Sequence, residues 1–204
     1  MNKKRIILIV ILIIVVLIGL GIFSFFRTPG ESSKGVIKTN ENGKVLVVYF
    51  SAQNHTENVA KKIATNLNAD IFEITPEEPY SEEDLEWTND NSRTAKERDD
   101  VSLRDVKLTT TEVENWENYD VVLIGYPIWF GSAAYPTSSF VKANDFTGKT
   151  VIPFCTSTAF PMSKSGIALE ETAGTGNWVK GHRFKSDPSD KEIQKWTDSL
   201  IQNK

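Results

Sequence analysis

Lys44-Val-Leu-Val-Val-Tyr-Phe50, running straight into Ser51-Ala-Gln-Asn-His-Thr56, is the stretch that decides the fold. After Lys44 the run is continuously apolar, which suits a strand buried on both faces of a parallel sheet. Helix spacing follows: Val59, Ala60, Ile63, Ala64 and Leu67 share one helical face, with Lys61 and Lys62 opposite. This alternation continues along the chain. Residues 70–74 read as a second strand, 120–125 as a third, 150–155 as a fourth and 178–184 as a weaker fifth. Ser81 followed by Glu82, Glu83 and Asp84 has the pattern of a helix N-cap with acids in the first turn. Residues 163–172 suit a helix, and Ile193, Trp196, Leu200 and Ile201 form the apolar face of a terminal one, whereas the polar stretch 89–117 shows no clear period. Strands alternating with helices predict an α/β fold, a doubly wound five-stranded parallel sheet of order 2-1-3-4-5.

In such sheets a ligand binds beyond the carboxyl ends of the strands, where strand order reverses. The segments after Phe50, Gly125 and Cys155 therefore carry the candidate site. Ser51, Gln53, Asn54, His55 and Thr56 offer hydroxyl, amide and imidazole groups, and the following helix offers unpaired N–H donors at its positive end. That set suits a phosphate monoester, although the same residues would serve an ordinary helix cap. Other nucleotide motifs fail. Gly148-Lys149-Thr150 has Ala143 where the P-loop needs glycine and leads into a strand, and no G-x-G-x-x-G run occurs.

Residues 6–26 form an unbroken run of apolar and small residues, relieved in polarity only by Ser24. At about 1.5 Å per residue this helix matches a hydrocarbon core of about 30 Å. It is too long for a cleaved signal and lacks the polar stripe of a core helix. The expected organisation is a transmembrane anchor over 1–28, a flexible linker over 29–43 and a domain over 44–204. Lys3, Lys4 and Arg5 place the N-terminus in the cytoplasm and the domain on the outer face of the cell membrane. Without the first 30 residues, 19 basic side chains face 27 acidic ones, a balance of −8. Such an acidic domain argues against nucleic acid and for a small ligand or a basic protein partner. Cys155 is the single cysteine, so neither an internal disulfide nor a cysteine-rich metal site is open to the chain.

Three segments, in order, carry a family resemblance. The run from Val45 through Ser51-Ala-Gln-Asn-His-Thr56 to Ala60 resembles the opening strand and phosphate loop of flavodoxin-like proteins. Gly125-Tyr-Pro-Ile-Trp-Phe-Gly131 is similar to their second flavin loop, and Phe146-Thr-Gly-Lys-Thr-Val-Ile-Pro-Phe-Cys-Thr-Ser157 to the strand leading to the third. The resemblance implies FMN as cofactor, bound by Ser51, Gln53, Asn54, His55 and Thr56 in the first loop. It implies Pro127, Ile128, Trp129, Phe130 and Gly131 in the second, and Thr156, Ser157, Thr158 and Phe160 in the third. Trp129 or Phe130 would stack on the ring, and Gly131 would let backbone approach it. The family loop usually reads Ser-x-Thr-Gly-Asn-Thr; here Asn54 takes the glycine position, and asparagine best tolerates that backbone shape.

The expectation is an FMN-binding electron carrier at a membrane surface, with no catalytic side chain, serving a redox partner protein or a small electron acceptor. An FMN-dependent NAD(P)H or quinone reductase is one alternative, and a flavin-free surface binding module is another. A hydrolase built on Cys155 with His182 or His55 is a remote third, since a cysteine ending a buried strand is usually a small hydrophobe. Trp87, Asn91, Ser92 and Arg93 could cap the ring, but an ordinary helical surface suits them better, and His182 and Arg183 suit structural roles.

Overall fold

The structure, a computed structural model, describes residues 32–37 and 44–201. The apolar stretch 6–26 lies outside the described residues. Among those described, no helix is long and apolar enough to cross a membrane.

Strands β1 (Lys44–Tyr49), β2 (Asp70–Glu73), β3 (Tyr119–Trp129), β4 (Ser132–Ala133), β5 (Thr150–Thr156), β6 (Asn177–Trp178) and β7 (His182–Phe184) make one sheet. Its order is β2-β1-β3-β5-β6, with β7 also on β5, so the expected order 2-1-3-4-5 is present with its fifth strand in two pieces. The break has a simple cause. β6 pairs with Thr150 and Val151, β7 with Phe154 to Thr156, and Pro153, with no N–H to donate, stands in the gap. All pairings are parallel except β3 with β4.

Alternation along β1 splits the core in two. Leu46 and Val48 join Val122, Ile124, Phe140 and Leu169 on one face, while Val47 and Tyr49 join Leu123, Phe154, Ile63 and Ile193 on the other. Helices α1 (His55–Leu67) and α5 (Asp190–Leu200) cover the second face, and α3 (Tyr135–Ala143) and α4 (Ser165–Ala173) the first. Sequence periodicity did not reveal α3: Pro136 opens it, but its buried face mixes Tyr135, Thr137, Phe140 and Val141. Gly125 makes room for the ring of its register partner on β5. A Cβ there would lie 2.2 Å from the Phe154 ring.

Two expectations need correction. Ser81 does cap a turn, its Oγ accepting from Asp84 N–H at 3.2 Å and its N–H donating to Asp84 Oδ2 at 3.0 Å. Only turns follow, however, and the helix of this crossover is α2 (Arg93–Asp99), capped by Ser92. The crossover closes on itself, with Glu77 N–H bonded to Lys107 O and Thr109 N–H to Thr75 O, both at 2.9 Å. The linker is not free along its whole length either. Gly35 and Ile37 donate to Ser199 O and Leu200 O, each at 2.9 Å, and Ile37 is buried against α5.

Candidate functional site

The chain crosses from β1 to β2 on one side and returns to β3 on the other, so strand order reverses between β1 and β3. The first loop, 50–54, leaves β1 at that point. Asn54 precedes α1 with φ 62°, the left-handed conformation, and makes no side-chain cap. The first N–H along this junction to find a carbonyl is that of Asn58, on Asn54 O at 2.9 Å. Among the described residues the backbone N–H groups of 51–57 have no hydrogen-bond partner. Nor do the side chains of Ser51, Gln53, Asn54 and His55, the last three of which are exposed. The loop is thus a row of donors at the positive end of a helix. Thr56 differs: it is fully buried, and its Oγ1 lies 2.8 Å from Thr156 Oγ1, which ties the first loop to the end of β5.

The second segment is a hairpin rather than a loop. β3 continues to Trp129 and turns back into β4, with Ile128 opposite Ala133 and Trp129 opposite Ser132. Phe130 and Gly131 make the two-residue turn, both left-handed at φ 49° and 81°. That pairing is the geometry of a tight primed hairpin, and it is the conformational reason for Gly131. Pro127, level with Thr156 on β5, accepts from Ala134 N–H at 3.1 Å. Trp129 sits edge-on to Phe50 (5.5 Å), Tyr80 (4.9 Å) and Tyr135 (6.1 Å), so it works as a wall within an aromatic cluster. Phe130 stays half-buried at the tip, with the Arg98 guanidinium 4.9 Å above its ring.

The third loop follows Thr156. Ser157 is buried, and its Oγ accepts from Phe160 N–H at 2.9 Å. Thr158 Oγ1 lies 2.9 Å from Ser186 Oγ, and Phe160 is 53% exposed. Arg183 Nη2 donates to Ser157 O at 2.7 Å and to Thr158 O at 3.1 Å.

Side chains from the β2–β3 crossover buttress the hairpin, and sequence alone did not single out most of them. Tyr80 donates to both carboxylate oxygens of Glu97 at 3.0 Å, Arg93 Nε donates to Glu97 Oε1 at 2.9 Å, and the guanidinium lies 3.9 Å above the Tyr80 ring. Burial pushes the Glu97 carboxyl upward, against the pull of Arg93 and Tyr80. The only advance signal was the four-residue spacing of Arg93 and Glu97. A groove of about 570 Å³ along the same crossover is lined by Glu78, Asp84, Arg93, Glu97 and Lys107 among others, and by none of the three loops. Trp87 is 69% exposed. Cys155 is buried and its thiol is pushed up to about 12, which leaves no thiolate for a hydrolase. Among the described residues no three His, Cys, Asp or Glu side chains converge as metal ligands.

A flavodoxin family model matches residues 44–200. The chain belongs to the flavodoxin family. A candidate flavoprotein from Bacteroides eggerthii shares 36% identity with this flavodoxin-like chain, over 77% of it and 97% of the relative, at a TM-score of 0.69. One from Bacteroides uniformis shares 34% over 76% and 98%, at 0.70. A Lactobacillus acidophilus flavoprotein solved in complex with FMN shares the fold at 24% identity, covering 76% and 99%, with a TM-score of 0.54. No curated protein sequence matches the chain.

Proposed function

We propose that this flavodoxin-family domain binds FMN at the carboxyl edge of its sheet and carries electrons at a membrane surface. One observation carries the cofactor reading. The unpartnered N–H groups of 51–57, the Pro127–Gly131 hairpin and the Thr156–Phe160 loop meet at one edge, and Thr56–Thr156 and Phe50–Trp129 contacts lock them together. The residues fit the group. A dianionic phosphate needs several donors at a helix start, and a flat ring needs an apolar wall with polar edges. The FMN complex of the Lactobacillus relative agrees with this.

Bound FMN would supply the electron chemistry. The N–H groups of 51–57 and the side chains of Ser51, Gln53 and His55 would hold the phosphate. Trp129, fixed by Phe50, Tyr80 and Tyr135, would wall one side of the ring, and Phe130 would stand at its rim. Thr158 and Phe160 would close the other side. Among residues 51–56, 127–131 and 156–160 the one titratable side chain is His55, which this reading gives to the phosphate, and that favours a carrier. The domain's acidic balance of −8 opposes adding further negative charge near the loops.

Residues 6–26 would anchor the domain in the cell membrane with Lys3, Lys4 and Arg5 inside, leaving the flavin edge to meet an extracytoplasmic redox partner or small acceptor. Incubation of the purified chain with FMN, followed by desalting, should leave a flavin absorbance spectrum on the protein. A spectrum without flavin bands would overturn the cofactor reading. Protease added to intact cells should remove the domain, and full protection would reverse the orientation.

A further inference from the structure

Arg183 lies on β7, 26 residues after Ser157, yet it grips two consecutive carbonyls of the third loop with a single nitrogen. The contact fixes more than position. A trans peptide holds its C=O and N–H in one plane, pointing in opposite directions, and there is no cis bond among the described residues. With Ser157 C=O turned toward Arg183, the N–H of Thr158 must turn away. With Thr158 C=O turned the same way, the N–H of Ala159 follows. Neither N–H has a hydrogen-bond partner among the described residues, and both residues are exposed. The neighbouring donors are already committed: Ser157 N–H to Phe184 O at 3.1 Å, and Phe160 N–H to Ser157 Oγ at 2.9 Å. Two adjacent N–H groups are therefore presented on the outer side of the loop, backed by a fixed positive charge. This is an anion-favouring arrangement.

Resting on the FMN reading above, we infer that Arg183 is the positioning residue of the third loop. By orienting the Ser157–Thr158 and Thr158–Ala159 peptides, it turns two backbone N–H groups toward the acceptor edge of the flavin ring. Its charge also favours the added electrons, countering the acidic domain. Arginine suits the task because its rigid guanidinium plane holds Nη2 fixed against both carbonyls, whereas a lysine ammonium turns freely at the end of a flexible stem.

The test compares wild-type chain, Arg183→Met and Arg183→Lys, each full length in mild detergent. FMN affinity is read by flavin fluorescence quenching and midpoint potential by spectroelectrochemistry. Arg183→Met should weaken FMN about tenfold, the loss expected for hydrogen bonds from a charged donor. It should also lower the midpoint potential of the flavin that remains bound. Arg183→Lys should lose affinity but keep a potential near wild type, because the charge stays. If circular dichroism shows Arg183→Met unfolded, Arg183→Lys decides alone: unchanged affinity overturns the proposal. A folded Arg183→Met with wild-type affinity and potential also overturns it, while leaving the FMN reading intact. Failure of the wild-type chain itself to bind FMN overturns both.

Discussion

The two connections that flank β2 are built on opposite principles. From β1 to β2 the chain runs through α1, whose buried Val59, Ala60, Ile63 and Ala64 bind it to the sheet by apolar contact. From β2 to β3 it runs through more than forty residues with one seven-residue helix, held by Arg93, Glu97, Tyr80 and side-chain caps at Ser81, Ser92 and Asp100. The first connection shares the core's fate. The second, closed on itself at residues 75–77 and 107–109, adds mainly partly buried side chains such as Tyr80, Leu108 and Val113 to the core, and its Tyr80 braces the hairpin that carries Trp129. A scaffold is thus built from area and a brace from geometry, so the two should fail differently.

The largest effect is expected in α1. Ile63→Ala should cost about 3 kcal/mol, the cavity cost of a fully buried isoleucine, and it should appear in the global urea midpoint. Arg93→Leu should cost nearly as much, about 2–3 kcal/mol, because it leaves the buried Glu97 carboxylate without its cation. Its signature should be local. Limited proteolysis should cut within residues 76–108 while the remainder stays resistant, and uniform resistance would erase the distinction drawn between the two connections. Ser92→Ala should cost about 1 kcal/mol through loss of the α2 cap to Ala95 N–H, again as local exchange of amide hydrogens.

Smaller effects separate backbone from side chain. Asn54→Ala should cost about 1 kcal/mol for its left-handed φ, and Asn54→Gly almost nothing, because the side chain caps no N–H; equal losses in thermal melts would contradict this. The smallest effect should be a pH slope from His182. Its ring stacks on Trp196 at 5.2 Å, its Nε2 is buried without a partner, and burial holds its pKa below the ordinary 6.5, against a small opposing pull from Glu192. The unfolded chain therefore takes up the proton first. Stability is complete above about pH 6.5 and declines as pH falls toward the folded-state value. His182→Phe should flatten that slope in melts between pH 7 and 5.

The same contrast explains what could be read in advance. β1, β3 and β5 were legible as continuous apolar runs buried on both faces and α1 from the 3.6-residue period of its buried face, and the order of the sheet was inferred from the alternation of strands and helices. The three candidate segments could be named from their position after Phe50, Gly125 and Cys155, and the structure brings them to one edge of the sheet. The brace was not, since Tyr80 and Glu97 lie 17 residues apart and meet through hydrogen bonds that leave no period. Arg183 was read as structural; its grip on Ser157 and Thr158 depends on β7 lying beside β5. The left-handed Phe130 broke expectation for a different reason, because an aromatic residue gives no sign of a primed turn.

The clasp between Gly35–Ile37 and the end of α5 gives the domain a mechanical property. A pull arriving from the N-terminal side loads the bonds to Ser199 O and Leu200 O, and the buried Ile37, before any force reaches Lys44 and β1. On the anchored reading proposed above, these bonds would take up tension before it reached the strand that positions the first loop, so the clasp would serve as a strain relief.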